Sequence, residues 1–183
     1  MDTRLWIHEM KRTLARLKND LSPLALPALV VFVGAALRFY DLGAESYWGD
    51  EVHTLHVALG GTKSLLSEFV EGNNPPVYLA LMALWVRLAG TTELATRFLS
   101  AWAGTAAIAA LYAIGRHLFS RKVALVGAGL MALSEFQIWY AQDSRYYALL
   151  VFTSLISFYV FLIALERDRP SLWIGLWLSL IHI

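Results

Sequence analysis

Two adjacent carboxylates, Asp50 and Glu51, sit in the run Ser46-Tyr47-Trp48-Gly49-Asp50-Glu51-Val52-His53-Thr54, just after the first long apolar segment. A charge that enters hydrocarbon is costly, so both belong in water, in the headgroup layer or in a polar cavity. A third acid, Asp143, lies in Ala141-Gln142-Asp143-Ser144-Arg145, between two later apolar segments. His53, His56, Lys63, Arg97, Arg145, Tyr146 and Tyr147 are the cationic and aromatic residues expected around these acids. Acids and cations gathered at a membrane surface suit one kind of chemistry. A carboxylate takes a proton from a hydroxyl acceptor, while cations hold the phosphate of a lipid-linked sugar and stabilise its charge as it leaves. Phosphate is a good leaving group, so no general acid is strictly required. Glu51 beside Asp50 is expected to raise the proton affinity of Asp50 by like-charge repulsion, which would suit a base working near neutral pH.

Each feature also has a purely structural reading. An Asp-Glu pair in a loop is often just solvated, or helps to start a helix. Asp143 and Arg145 can pair with each other in a tight turn. His53 and His56, three residues apart, could hold a metal with Glu51, although two loop histidines more often do not. Arg97 can serve as an interface anchor, and Trp139, Tyr140, Tyr146 and Tyr147 as an aromatic belt.

The elements that must position these residues are apolar. The chain has 183 residues, 58% hydrophobic and 16% charged, with mean hydropathy +0.54. Soluble domains are typically about 45–50% apolar and about 25% charged, so both values indicate a membrane protein. No nucleic-acid partner is expected. The absence of cysteine excludes disulfides and thiolate metal sites. No secretory signal peptide is evident, since the first apolar run begins near Leu21 and is too long for an h-region. The final apolar run, 173–183, is shorter than the roughly 20 residues a span needs. The expectation is therefore the N-terminal part of a longer protein.

Residues 1–20 carry Arg4, Lys11, Arg12, Arg16 and Lys18 among apolar residues at three- and four-residue spacing. This is the pattern of a basic amphipathic helix on the cytoplasmic leaflet, or of a basic tail that obeys the positive-inside rule. Residues 21–40 form the first predicted span, with Arg38 at its exit. A polar outer loop, 41–94, follows, in which Gly60-Gly61 separates two short helices. Residues 77–89 look like a span by hydropathy. If they crossed, however, Arg116, Arg121 and Lys122 would lie on the side opposite the basic N-terminus. They are therefore read as a juxtamembrane helix. Spans at about 95–115, 123–140 and 146–165 then alternate, and another begins near 171. Ala101, Ala103, Gly104, Ala106, Ala107 and Ala110, and again Gly127 and Gly129, are expected to allow close helix packing. This topology puts ten Lys and Arg inside and five outside, Arg38, Lys63, Arg87, Arg97 and Arg145. An anionic ligand would give the outer cations a purpose.

Five motifs occur in a fixed order: Tyr47-Trp48-Gly49-Asp50-Glu51; Asn74-Pro75-Pro76-Val77-Tyr78; Arg97-Phe98-Leu99-Ser100-Ala101-Trp102-Ala103-Gly104; Gly115-Arg116-His117-Leu118-Phe119; and Ile138-Trp139-Tyr140-Ala141-Gln142-Asp143-Ser144-Arg145-Tyr146-Tyr147-Ala148-Leu149. Together they resemble the N-terminal part of bacterial polyprenyl-phosphate-dependent glycosyltransferases of the GT-C fold, similar to protein mannosyltransferases and lipid A aminoarabinose transferases. The resemblance covers about 20–170. It implies a first outer loop with two juxtamembrane helices. It matches Asp50 to the family's catalytic aspartate and Asp143 to a second-loop acid that assists binding or positioning. It also implies inverting transfer of a sugar from a polyprenyl phosphate to an acceptor hydroxyl outside the cytoplasm. Full members are several hundred residues long, with further spans and a later outer domain, so acceptor recognition is not expected from this stretch alone.

The expected fold is all-α: a polytopic transmembrane helix bundle of GT-C type with juxtamembrane helices in the first outer loop. Residues 1–20 form a cytoplasmic basic segment and 21–183 the transmembrane domain. The expected function is a glycosyltransferase in the bacterial inner membrane, with its N-terminus cytoplasmic and its active site extracytoplasmic. Asp50, Glu51 and Asp143 are the expected catalytic residues. Arg97, Arg145, Lys63, His53 and Tyr146 are the expected contacts to donor phosphate or substrate. The partners would be the polyprenyl-phosphate sugar donor, a lipid, glycan or protein acceptor, and membrane lipids. No cofactor is expected, with a divalent metal left open. The alternative is a transporter or flippase-like subunit for a lipid-linked or anionic substrate, which calls for charges at the bilayer midplane and broken helices.

Overall fold

The computed structural model describes residues 24–72, 74–167 and 169–180, together with Met10. The basic segment 1–20 thus lies almost wholly outside the described residues. All regular structure among the described residues is helical. The first helix, α1, covers Leu24–Phe39 in its described part. It is followed by α2 (Gly49–Leu59), α3 (Gly61–Glu71), α4 (Pro76–Ala89), α5 (Glu93–Leu118), α6 (Arg121–Leu133), α7 (Glu135–Ala141), α8 (Tyr147–Arg167) and α9 (Pro170–Leu180). By length and composition α5 and α8 can each cross a membrane, and α6 with α7 can form a third, bent span. The described part of α1 and all of α9 are apolar but shorter.

The long helix α5 is the axis of the molecule. Thr92 caps its start by accepting from the Ala95 N–H, and Arg116 and His117 occupy its last turn, where positive charge meets the negative end of the helix dipole. Most of its small residues do what their spacing predicts: Ala101, Ala103, Gly104, Ala107 and Ala110 are buried, and Ala106 is half-buried. A side chain on Gly104 would come within 2.7 Å of the Ala141 Cβ, and one on Gly115 within 2.9 Å of the Ala124 Cα. Gly127 and Gly129 behave differently, because a Cβ on either would meet open space. Close contact on α6 runs instead through Ala124, Ala128 and Ala132, all buried.

The two helices flanking Gly60-Gly61 form as the glycine pair predicts, and Gly61 takes a φ of +75°, a left-handed conformation that costs glycine little. The apolar run at 77–89 becomes α4, 14 residues long. It stays at one end of the bundle, opposite the first two turns of α5. There Trp85 Nε1 donates to the Ala95 carbonyl at 2.7 Å, and the Tyr78 hydroxyl lies 3.3 Å from Ser100 Oγ. Tyr78, Met82, Ala83 and Val86 of α4 form one core cluster with Ala58 of α2. The outer-loop helices are thereby packed onto the bundle.

The expected straight span at 123–140 is broken. α6 and α7 meet at a bend of 60° at Ser134. Ser134 leaves helical geometry with ψ 116° and caps α7 by accepting from the Gln137 N–H. A serine competes for backbone donors in this way wherever the chain allows it.

Chain direction puts the loop 41–48, α2 to α4, the start of α5, the end of α7 and the start of α8 at one end. The other end holds the α5–α6 turn and the α8–α9 turn, where His117 Nε2 lies 2.9 Å from Glu166 Oε1. The chain lacks native cysteine, so single cysteines test which end faces out. Ser67→Cys and Gly90→Cys are expected to react with an impermeant maleimide from outside, and Ser120→Cys is not. The reverse pattern would invert the topology.

Candidate functional site

Glu51 organises the first loop. It is fully buried, at the third position of α2, where it accepts from the Trp48 N–H at 3.3 Å, one half of a capping box. Arg97 reaches it from α5 with two hydrogen bonds, Nε to Oε1 at 2.8 Å and Nη2 to Oε2 at 2.7 Å. The Ser144 N–H and hydroxyl donate to the same Oε1 at 2.9 and 3.1 Å. One carboxylate therefore joins the first loop, α5 and the second loop. Burial by itself would raise the Glu51 pKa. The bonds from Arg97, Ser144 and Trp48 outweigh it and hold the carboxyl below its ordinary value.

Arg97 has no donor to spare. Besides its two bonds to Glu51, it donates through Nη1 to the Leu42 and Glu45 carbonyls at 3.3 and 2.8 Å. Nη2 also lies 3.4 Å from the Ser46 carbonyl. All five N–H bonds of the guanidinium have protein acceptors. The expectation that Arg97 contacts a donor phosphate conflicts with this geometry, because a phosphate would have to displace the contacts that shape the loop.

Arg145 is different. Its Nη1 donates to the Asp50 carbonyl at 3.3 Å and to Thr54 Oγ1 at 3.2 Å. Its Nη2 lies 3.6 Å from Asp50 Oδ2, too long for a firm hydrogen bond. Nε has no partner among the described residues. The guanidinium also lies over the rings of Tyr146 and Tyr147, 5.5 and 5.9 Å from their centroids. Arg145 pairs with Asp50, and the expected turn pair with Asp143 does not form. The Asp50 side chain is 53% exposed, so its carboxylate meets solvent beside a largely buried guanidinium.

Asp143 is 4% exposed. Its Oδ1 accepts from Trp48 Nε1 at 3.1 Å, and its Oδ2 has no partner among the described residues. Burial pushes its pKa up to about 6, and the nearby Glu51 charge adds to the rise. Glu51 and Asp143 line a cavity of about 480 Å³ together with Asp41, Glu45, Trp48 and Trp139. Asp50 is not among its lining residues, so the acidic pair does not open jointly onto it. Asp50 and Glu51 are neighbours in sequence, but successive helical side chains diverge. One points to Arg145 and solvent, the other into the core.

The remaining expected residues stand apart from this cluster. His53 Nε2 lies 3.3 Å from Glu68 Oε2 of α3. Asn74 also donates to Glu68, at 2.6 Å, and this bond first, then His53, holds the Glu68 carboxyl below its ordinary value. Lys63 is exposed on α3, the helix that carries Glu68. Among the described residues no group of three histidines or acids is placed to hold a metal ion. Glu51 turns inward and His53 outward to Glu68, so the possible set of Glu51, His53 and His56 does not assemble. Trp48, Thr54, Gln142 and Ser144 went unmarked as contributors, although all four lie within or beside the two acidic motifs.

The family model described as dolichyl-phosphate-mannose-protein mannosyltransferase matches residues 73–180, more than half of the chain. Asp143, Arg145 and Arg97 fall inside the matched region, whereas Asp50 and Glu51 precede it. No curated protein and no solved structure matches the chain.

Proposed function

The chain belongs to the dolichyl-phosphate-mannose-protein mannosyltransferase family, and we propose that it is the catalytic bundle of a membrane glycosyltransferase of GT-C type. In this reading residues 21–183 are the transmembrane domain and 1–20 a basic cytoplasmic segment. A polyprenyl-phosphate sugar is the donor, and a hydroxyl of a lipid, glycan or protein is the acceptor. The reaction takes place on the extracytoplasmic side of a bacterial inner membrane. Asp50 takes the proton from the acceptor hydroxyl. The acceptor oxygen bonds to the anomeric carbon from the face opposite the phosphate, the carbon–phosphate-oxygen bond breaks, and the polyprenyl phosphate leaves with the electron pair. The configuration inverts.

The observation that carries this reading is the exposed Asp50 carboxylate beside Arg145, whose Nη2 makes only a long contact, 3.6 Å, to Asp50 Oδ2. A base and an anion-holding group in contact suit a single displacement at a phosphate-bearing carbon. Arg145 takes the phosphate role in this reading, with Tyr146 stacked on it. Arg97 and Glu51 position the loop, and Asp143 contributes an acidic group to the adjoining cavity. Arg145→Gln is expected to raise the KM for the lipid-phosphate donor by about tenfold or more, the effect of losing a charge-assisted contact. An unchanged KM would remove Arg145 from the donor site.

The transporter reading gains two observations, since α6–α7 is a broken span and Arg38 is fully buried. The break lies seven residues from the end of α7, and α7 leads directly into the loop that carries Asp143 and Arg145. The enzyme reading fits that position better.

A further inference from the structure

Arg38 is the cation expected to mark the outer exit of the first span. It is fully buried, and among the described residues no carboxylate pairs with it. A buried cation needs compensation, and here the compensation is made of carbonyls. The bend at Ser134 leaves the last carbonyls of α6 without N–H partners one turn on. Arg38 supplies them: Nη1 donates to the Ala132 carbonyl at 3.2 Å, and Nη2 to the Met131 carbonyl at 3.1 Å. Nη1 also donates to the Gly34 carbonyl, one turn back in α1, at 3.0 Å. The guanidinium therefore sits at the negative end of the α6 dipole, where a cation is favoured.

Gln142 returns the arrangement. Its backbone N–H closes α7 on the Ile138 and Trp139 carbonyls. Its side-chain Nε2 donates to the Leu37 and Tyr40 carbonyls at 3.3 and 2.9 Å, which are unpaired acceptors at the end of α1. The end of α6 is thus capped from α1, and the end of α1 by the residue that closes α7. Two glycines make room for the guanidinium. A Cβ on Gly104 would lie 3.2 Å from Arg38 Nε, and one on Gly34 would lie 3.4 Å from Nη1 and collide with Ile108.

We propose that Arg38 and Gln142 are positioning residues that hold the α6–α7 bend and thereby set Trp139 and Asp143 in the wall of the cavity. The functional half of this proposal rests on the transferase reading; the structural half does not. α7 carries Trp139 and leads directly into Gln142, Asp143 and Ser144, and Ser144 is the residue that binds Glu51. Release of the two caps lets α7 move as a unit, and the second loop moves with it.

The test uses the full-length protein in lipid nanodiscs, with spin labels at Val123→Cys on α6 and Phe136→Cys on α7, both exposed to the outside of the bundle. The parent is expected to give a single narrow distance. Arg38→Met is expected to lengthen and broaden it, and Arg38→Lys to restore part of the parent distribution. Transfer by Arg38→Met should show kcat lowered about 10–100-fold, the effect of an ångström-scale displacement. The KM for the donor should change less than kcat, since Arg145 keeps its own contacts to Asp50 and Thr54 of α2. An unchanged distance in Arg38→Met would overturn the clamp, and a changed distance with unchanged kcat would overturn its positioning role. Should Arg38→Met fail to fold, Gln142→Met at the partly exposed cap is expected to broaden the same distance, and a parent-like distribution would overturn the proposal. The distance result stands whatever Asp50→Asn does to turnover, so failure of the clamp and failure of the transferase reading are separable.

Discussion

Asp50→Asn in the full-length protein is expected to lower sugar transfer by about 10²–10⁴-fold, the range for loss of a positioned general base, while the folded state survives. The two halves of this expectation rest on different atoms of one residue. The Asp50 side chain is more than half exposed, and its ion pair with Arg145 is long, at 3.6 Å. Exposed pairs of this kind contribute little to stability. The structural contacts of Asp50 run through its backbone carbonyl, which accepts from Thr54 Oγ1 and Arg145 Nη1 and is untouched by the substitution. Asparagine keeps the shape and removes the proton acceptor. The measurement is transfer to an acceptor in nanodiscs, with the melting temperature recorded alongside. Near-normal turnover would remove Asp50 from the mechanism, and Asp143 Oδ2, without a partner among the described residues, would become the next group to test.

The largest effect on stability is expected at the neighbouring residue. Arg97→Met or Glu51→Gln is expected to cost about 3–5 kcal/mol, the range for breaking a buried ion pair from one side. Arg97→Met leaves the fully buried Glu51 carboxylate without its bidentate partner and releases three carbonyls of the first loop. Arg97→Lys is expected to recover only part of the loss, because an ammonium cannot hold a carboxylate in a fork and reach those carbonyls as well. The pH dependence has a defined sign. The Glu51 pKa is lowered in the fold, so its contribution is complete above the ordinary glutamate value, about 4.3. It is lost as pH falls through the depressed value. Asp143 acts in the opposite sense. Its pKa is raised to about 6, so the ionised form is penalised in the fold and protonation below about 6 adds stability. The parent melting temperature is therefore expected to rise as pH falls from 7 to about 5 and to drop again in stronger acid. Glu51→Gln should lose the acid-side drop attributable to that carboxyl. A flat profile in the parent would contradict both assignments.

Asp50 and Glu51 show how far sequence reading reaches. The acidic pair was legible as a site because two charges beside an apolar span need a reason. The division of labour between them was not legible. It follows from which way each side chain leaves α2, and that depends on how α2 packs against α5 and the second loop. Arg97 was visible as an outer cation, and only the five acceptors around it mark it as a structural clamp. The partners of Arg38 were hidden for the same reason. Hydropathy registers an arginine at the end of a span, whereas its partners are the carbonyls released by a bend nearly a hundred residues later. The bend itself had a local signal in Ser134, but a serine within an apolar run is usually tolerated in a straight helix.

The amino-acid sequence by itself determined the helical class, the order of the elements, the break at Gly60-Gly61, the small-residue face of α5 and the two acidic motifs. These follow from periodicity, composition and chain entropy, all of which act over a few residues. Only the tertiary structure decided that Glu51 faces inward while Asp50 faces solvent, that Arg97 binds Glu51 while Arg145 reaches Asp50, and that Arg38 caps a helix in trans. Those outcomes depend on which distant carbonyls and carboxylates are left unsatisfied when the helices pack. Buried polar groups must find partners wherever the fold brings them, and no local pattern in the chain carries that information.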